Sequence, residues 1–114
     1  MLLEIAERKI EPDITVMELR GKLALGRESQ RIEALMEEYA RQGTLRVILD
    51  MSGVDYIDSA GIGVVALSSG RIKDAGGKLA VVAPEGRVLQ LLKLTQINTI
   101  VTVCTTVGEA EAAV

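Results

Sequence analysis

The sequence predicts an α/β domain on a mixed β-sheet of about five strands, opened by an N-terminal hairpin and carrying about four helices, in the order ββαβαβαβα. Three observations predict it. Short apolar runs recur at Val47-Ile48-Leu49, Leu79-Ala80-Val81-Val82 and Ile100-Val101-Thr102-Val103. Segments with helical periodicity separate them, the pattern of parallel strands joined by right-handed crossovers. Ahead of them, two β-rich segments flank a Glu11-Pro12-Asp13 turn signal,. With 114 residues, 48% hydrophobic and 25% charged, residues 1–114 are read as a single domain.

Taken in order, Leu3, Ile5 and Ile10 lie on a strand among polar residues, and Ile14 to Leu19 form the second arm of the hairpin,. Gly21 and Gly26 bracket a loop. Ser29 to Gln42 reads as a helix, because Ile32, Leu35, Met36 and Tyr39 fall at i, i+3, i+4 and i+7 while Glu33, Glu37, Glu38 and Arg41 take the other side,. Gly43 is placed to stop it. The Val47–Leu49 run is a buried strand. A second helix spans about Ser59 to Asp74, with Ile62, Val65, Ala66, Ser69 and Ile72 as its core stripe and Gly76-Gly77 as its stop. Pro84 opens a third helix with Val88, Leu91, Leu92 and Thr95 on one side. Thr105 or Thr106 caps a short last helix running through Ala113.

Composition narrows the function. The two tyrosines, Tyr39 and Tyr56, are the only aromatic residues, so stacking platforms for single-stranded nucleic acid or sugars are largely excluded. Net charge is −3 without a basic stripe, and no nucleic-acid partner is expected. Histidine is absent, which removes the Ser-His-Asp triad, the Cys-His pair, phosphohistidine carriers and most zinc sites. No apolar run approaches the length of a membrane span, and MLLEIAERKIEP does not have the form of a signal peptide. Cys104 is the single cysteine. It is read as buried and inert at a strand end, and a reducing cytoplasm is the expected location.

The segment that carries chemistry is VDYIDSAGIG, residues 54–63. It sits where a strand ends and a helix begins, the place where α/β sheets gather functional groups. Ser59 or Asp58 can serve as the helix N-cap. A cap accounts for one polar residue, but not for Gly61 and Gly63, each of which costs a helix roughly 1 kcal/mol relative to alanine. A hydrolase is disfavoured: the segment is not Gly-x-Ser-x-Gly, and no histidine can act as base. Nor is it a nucleotide P-loop. A further reading is a phosphorylation site at Ser59. Phosphate at a helix N-terminus is tolerated by the fold, while its charge of about −1.5 to −2 beside Asp55 and Asp58 would repel a partner docked there.

From Val47 onward, VILDMSGVDYIDSAGIGVVALSSGRIKDAGGKLAVVAPEGRVLQLL resembles the STAS domain of bacterial anti-sigma-factor antagonists. Asp50, Asp58, Ser59, Gly61, Ile62 and Gly63 match the family pattern position by position, and the resemblance extends over nearly the whole chain. It implies the STAS fold and a partner-switching cycle. The unphosphorylated domain binds an anti-sigma factor that is also a serine kinase. Phosphorylation of the serine matching Ser59 releases it, and a metal-dependent serine phosphatase restores it. The domain would be substrate and binding module rather than enzyme, without a cofactor. Relatives act mostly as monomers, though an exposed N-terminal strand leaves dimers open. Other readings are a STAS subunit of a lipid-transport or stress-signalling assembly, or a nucleotide- or lipid-binding STAS module that is never phosphorylated.

The partner-binding residues expected on this basis are Asp58, Ser59, Ala60, Gly61, Ile62, Gly63, Val64 and Leu67. Of the last two, Leu67 is the one assigned more readily to packing against a neighbouring helix. Asp50, Asp55 and Asp58 are read as a solvated acidic rim rather than a magnesium site, with Asp58 orienting the serine or meeting a basic group on the kinase. Two departures from the family pattern are visible. No aspartate precedes the first helix, which leaves its start open. Thr95-Gln96 replaces the Ser-Gly of relatives after the third helix, and glutamine enters the left-handed conformation less readily than glycine.

Overall fold

A computed structural model describes residues 3–114. Five strands, β1 (Leu3–Ile10), β2 (Ile14–Leu23), β3 (Arg46–Ile57), β4 (Lys78–Val82) and β5 (Thr102–Cys104), form one sheet in the spatial order β1-β2-β3-β4-β5. β1 runs antiparallel to β2 as a hairpin, and every later neighbour is parallel. Four helices, α1 (Arg27–Gln42), α2 (Ser59–Asp74), α3 (Arg87–Leu94) and α4 (Val107–Ala113), complete the order ββαβαβαβα. The STAS-type mixed sheet expected from the sequence is present. Among the described residues, no helix is long and apolar enough to cross a membrane.

Period-two alternation divides the sheet into two apolar faces. On one, Met17, Leu19, Val47, Leu49, Met51, Leu79 and Val81 pack beneath α1, α2 and α3, which contribute Ile32, Met36, Val65, Ile72 and Leu92. On the other, Ile14, Val16, Ile48, Ala80 and Val82 meet Ala110 of α4. Tyr39 ties α1 to β1 by donating its hydroxyl to the Glu7 carboxylate. Burial first, and Glu7 second, hold that phenol protonated above its ordinary range,.

Several bounds differ from the sequence expectation, each for a tertiary reason. β2 continues past Leu19 to Leu23, carrying Gly21 through an irregular stretch of its pairing with β3. β3 outruns its apolar core because pairing with β4 stops at Asp50, while pairing with β2 continues to Ile57. Flanked on one side only, its distal half is free to be polar. α1 starts at Arg27 rather than Ser29. Without a capping aspartate, Ser29 closes the turn itself: its Oγ accepts from the Gly26 N–H (3.2 Å) and donates to the Gly26 carbonyl (2.8 Å). Gly43 ends α1 in the left-handed conformation, as expected. Pro84 lies outside α3, which begins at Arg87 behind Gly86. The last strand is Thr102–Cys104 rather than Ile100–Val103, because a short 3₁₀ turn at Ile97–Thr99 takes up the preceding chain and leaves Ile100 exposed. Thr106, not Thr105, caps α4 by accepting from the Glu109 N–H (3.2 Å). Cys104 is half-buried rather than enclosed, and burial raises its thiol pKa.

Gln96 is the one non-glycine residue with positive φ among those described (62°). The left-handed conformation costs an L-residue roughly 1–2 kcal/mol, part of which glycine returns as unfolded-state entropy. Gln96→Gly is therefore expected to stabilise the domain by about 0.5–1 kcal/mol, read as an upward shift in thermal midpoint of a few degrees.

Candidate partner-docking face

The junction between β3 and α2 is organised by Asp58. Its backbone is extended (φ −110°, ψ −175°), which makes it the N-cap of α2,. Its carboxylate reaches in two directions. Oδ1 accepts from the Gly61 N–H (2.8 Å), closing the first turn of α2, and Oδ2 accepts from the Leu25 N–H (3.3 Å), holding the connection between β2 and α1. The Asp58 N–H donates to the carbonyl of Leu23 (3.3 Å). The amide of Gly61, followed by those of Leu25 and Ala60, lowers the Asp58 pKa against a smaller opposing effect of desolvation,. Of the two cap candidates, Asp58 is therefore the cap. Ser59 is the first helical residue, it is exposed, and its hydroxyl makes no hydrogen bond among the described residues. Asp58 does not orient that hydroxyl; its carboxylate is committed to backbone amides.

The two glycines of the motif have different causes. Gly61 is buried, and a Cβ built there would lie 2.2 Å from the Leu23 carbonyl oxygen and 2.8 Å from Ile57 Cγ1. Glycine is what lets the first turn of α2 press against the end of β2. Gly63 is exposed, and a Cβ there would meet nothing within 4 Å. Nothing in the folded domain calls for glycine at position 63.

The expected contact residues sort accordingly. Ser59, Gly63 and Leu67 follow one another at i, i+4 and i+8 on the open side of α2, with Leu67 41% exposed. Ala60 and Ile62 are half-buried at its margin. Gly61 and Val64 depart from the expectation. Gly61 faces β2, and Val64, 4% exposed, belongs to the core. The relation expected between Val64 and Leu67 is reversed, because the buried face of α2 runs through Val64, Val65, Ser68, Ser69 and Ile72. α1 packs across that face, with Glu37 and Arg71 paired between the helices at 3.4 Å.

Asp50 bonds the Ser52 amide (3.0 Å) and hydroxyl (2.6 Å), Asp55 is exposed, and Asp58 caps α2, so the three carboxylates do not converge. Two exposed residues beside the junction went unread in the sequence. Leu25 is 78% exposed with its backbone fixed by Asp58. Tyr56 is also exposed, and Lys22 Nζ lies 6.0 Å from its ring centroid. A leucine beside Gly26, outside any periodic run, was the available signal. A groove of about 160 Å³ lies between Met51–Asp55 and Ala83–Val88, smaller than the roughly 300–1,000 Å³ typical of small-molecule sites.

Two outcomes are expected. Gly61→Ala should destabilise the domain by about 1–3 kcal/mol through overpacking despite alanine's higher helix propensity. Gly63→Ala should stabilise it by up to about 1 kcal/mol, and chemical denaturation of the two variants checks both signs. Because the folded Asp58 pKa is lowered, its cap contributes stability above the unfolded pKa of about 3.9 and loses it as pH falls through the folded value. The stability difference between wild type and Asp58→Asn should accordingly hold down to about pH 5 and shrink as pH falls from there through the folded value, measured by thermal melts at each pH.

The STAS domain model matches residues 6–110. A Thermotoga maritima protein assigned as an anti-sigma factor antagonist is 28% identical over 102 residues, covering 90% of each chain. The crystal structure of a Thermotoga maritima protein with the same assignment superposes with a TM-score of 0.85 at 25% identity, over 96% of this chain and 93% of that one. The Bacillus cell-fate determinant SpoIIAA in its phosphorylated form shares the fold, with a TM-score of 0.73 at 15% identity over 97% of this chain and 100% of that one. With nearly its whole length matched by the family model, the chain belongs to the STAS domain family.

Proposed function

We propose that this chain is an anti-sigma-factor antagonist that switches partners through reversible phosphorylation of Ser59. In its unmodified state it docks on an anti-sigma factor that is also a serine kinase. The face formed by Ser59, Gly63 and Leu67 on α2, with Leu25 and Tyr56 beside it, makes the contact, and Asp58 contributes only through the geometry it imposes. The kinase transfers the γ-phosphoryl group of ATP to the Ser59 hydroxyl and the complex separates. A metal-dependent phosphatase removes the phosphate. The chain is substrate and binding module in this cycle.

The observation that carries the reading is the division of labour at the junction. Asp58 has taken the capping role, which leaves Ser59 exposed with an uncommitted hydroxyl. Gly63 adds support, since only a surface approached by another molecule benefits from a missing side chain there. The role of the Thermotoga relatives and the existence of a phosphorylated SpoIIAA favour the same reading. Phosphorylation breaks no hydrogen bond of Ser59, so the modified domain stays folded. What changes is the charge, by about −1.5 to −2, next to Asp55 and Asp58.

The test pairs the protein with its candidate kinase and ATP. Intact mass should rise by one phosphate mapped to Ser59, and Ser59→Ala should bind the kinase while remaining unmodified. Ser59→Asp should bind at least about tenfold more weakly, or roughly 1.4 kcal/mol, with an unchanged thermal midpoint. Wild-type affinity in Ser59→Asp would rule out charge repulsion as the releasing force. An unchanged mass with the true kinase would rule out the cycle itself.

A further inference from the structure

The sheet ends in two edges of unlike character. β5 is three residues long, whereas β1 runs from Leu3 to Ile10 and pairs with β2 in unbroken register, from Leu3 opposite Gly21 to Ile10 opposite Ile14. β1 contains neither proline nor glycine, and among the described residues no strand pairs with its outer side, which offers a row of backbone groups as a template for another strand,. Charged residues ordinarily guard such an edge, and β1 carries four: Glu4, Glu7, Arg8 and Lys9. They guard it only if pairing brings like charges together.

The order of these charges favours one register of self-pairing. When two copies of β1 meet antiparallel about a twofold axis normal to the sheet, facing side chains share a face, so the axis passes through a residue. An axis through Glu7 would oppose two carboxylates. An axis through Ile5 would pair only residues 3–7 of the described strand. An axis through Ala6 pairs residues 3–9, sets Ala6 against Ala6, and places Glu4 of each copy opposite Arg8 of the other. Arg8 donates through Nε to Glu18 (2.6 Å), and its Nη groups make no hydrogen bond among the described residues, so they remain to meet a second carboxylate. Both Glu4 and Arg8 are exposed.

We propose that β1 pairs with β1 of a second copy about an axis at Ala6, joining the two sheets into one. The backbone ladder supplies the attraction. The exposed ion pairs add little affinity, but they favour this register over the shorter one centred on Ile5, which lacks them, and over the one centred on Glu7, which opposes like charges. The monomer implied by the family resemblance is then the dilute state. Ser59 opens α2 just beyond the end of β3, and β2 stands between β3 and this edge, so pairing leaves both docking faces open.

Sedimentation equilibrium over a concentration series reaching high micromolar tests the proposal, with circular dichroism confirming the fold of each variant. Wild type should show a reversible monomer–dimer equilibrium. Glu4→Arg and Arg8→Glu should each weaken it several-fold, and an equimolar mixture of the two should recover dimer, since each supplies the charge the other lacks. Ala6→Lys gains Glu18 as its neighbour within the chain but opposes itself across the axis, so it should stay monomeric with its fold intact. A wild type that is monomeric throughout overturns the proposal. So does self-association that Glu4→Arg and Ala6→Lys leave unchanged, which would place the contact on another surface.

Discussion

The close approach of α2 to the end of β2 governs the geometry of the whole β3–α2 junction. The Leu23 carbonyl accepts from the Asp58 N–H at 3.3 Å and lies where a side chain at position 61 would begin. With Gly61 in place, the first turn of α2 settles onto that carbonyl, and the Asp58 carboxylate comes within reach of Leu25 on the other side. Two chain segments far apart in sequence are thereby fixed to one helix terminus. Leu25 is held exposed by its backbone rather than buried by its side chain, an arrangement that hydrophobic packing alone would not produce.

The same constraint explains why β3 is long and only partly apolar. Its first half lies between β2 and β4 and reads as a continuous buried run,. Its second half has β2 alone beside it and carries Ser52, Gly53, Asp55 and Tyr56 outward. That extension projects the β3–α2 junction beyond the end of β4, which places Ser59 on a rim rather than in a cleft. A hydroxyl on a rim is open to a macromolecular partner.

What the sequence made legible was what short-range chemistry decides. The α2 bounds follow from an acid at the cap, small residues in the first turn and glycines beyond the last. The buried side of α1 follows from Ile32, Met36 and Tyr39 at helical spacing. What it concealed was decided across distance. Val64 and Leu67 look interchangeable in an apolar helix, and only the direction from which α1 packs separates core from surface. The extension of β2 to Leu23 depends on β3 running beside it. Gly61 and Gly63 form a pair in the motif, yet one answers to a carbonyl of β2 and the other to nothing inside the domain. Gln96 was readable as a departure from the family pattern, and it does adopt the left-handed conformation that glycine would take at less cost,.

Asp58 also bears on how a phosphate at Ser59 would act. A helix N-terminus ordinarily neutralises an anion through its free amides and dipole. Here the Gly61 amide already serves the Asp58 carboxylate, and the Ala60 amide helps to stabilise its charge. A phosphoryl group arriving at Ser59 meets a first turn whose donors are largely spoken for. Its charge is therefore directed outward, toward whatever occupies the open side of α2, instead of being absorbed by the helix beneath it. The capping carboxylate that closes the first turn of α2 would thus also make such a modification effective: it leaves the serine hydroxyl uncommitted and would leave the added charge for a partner to face.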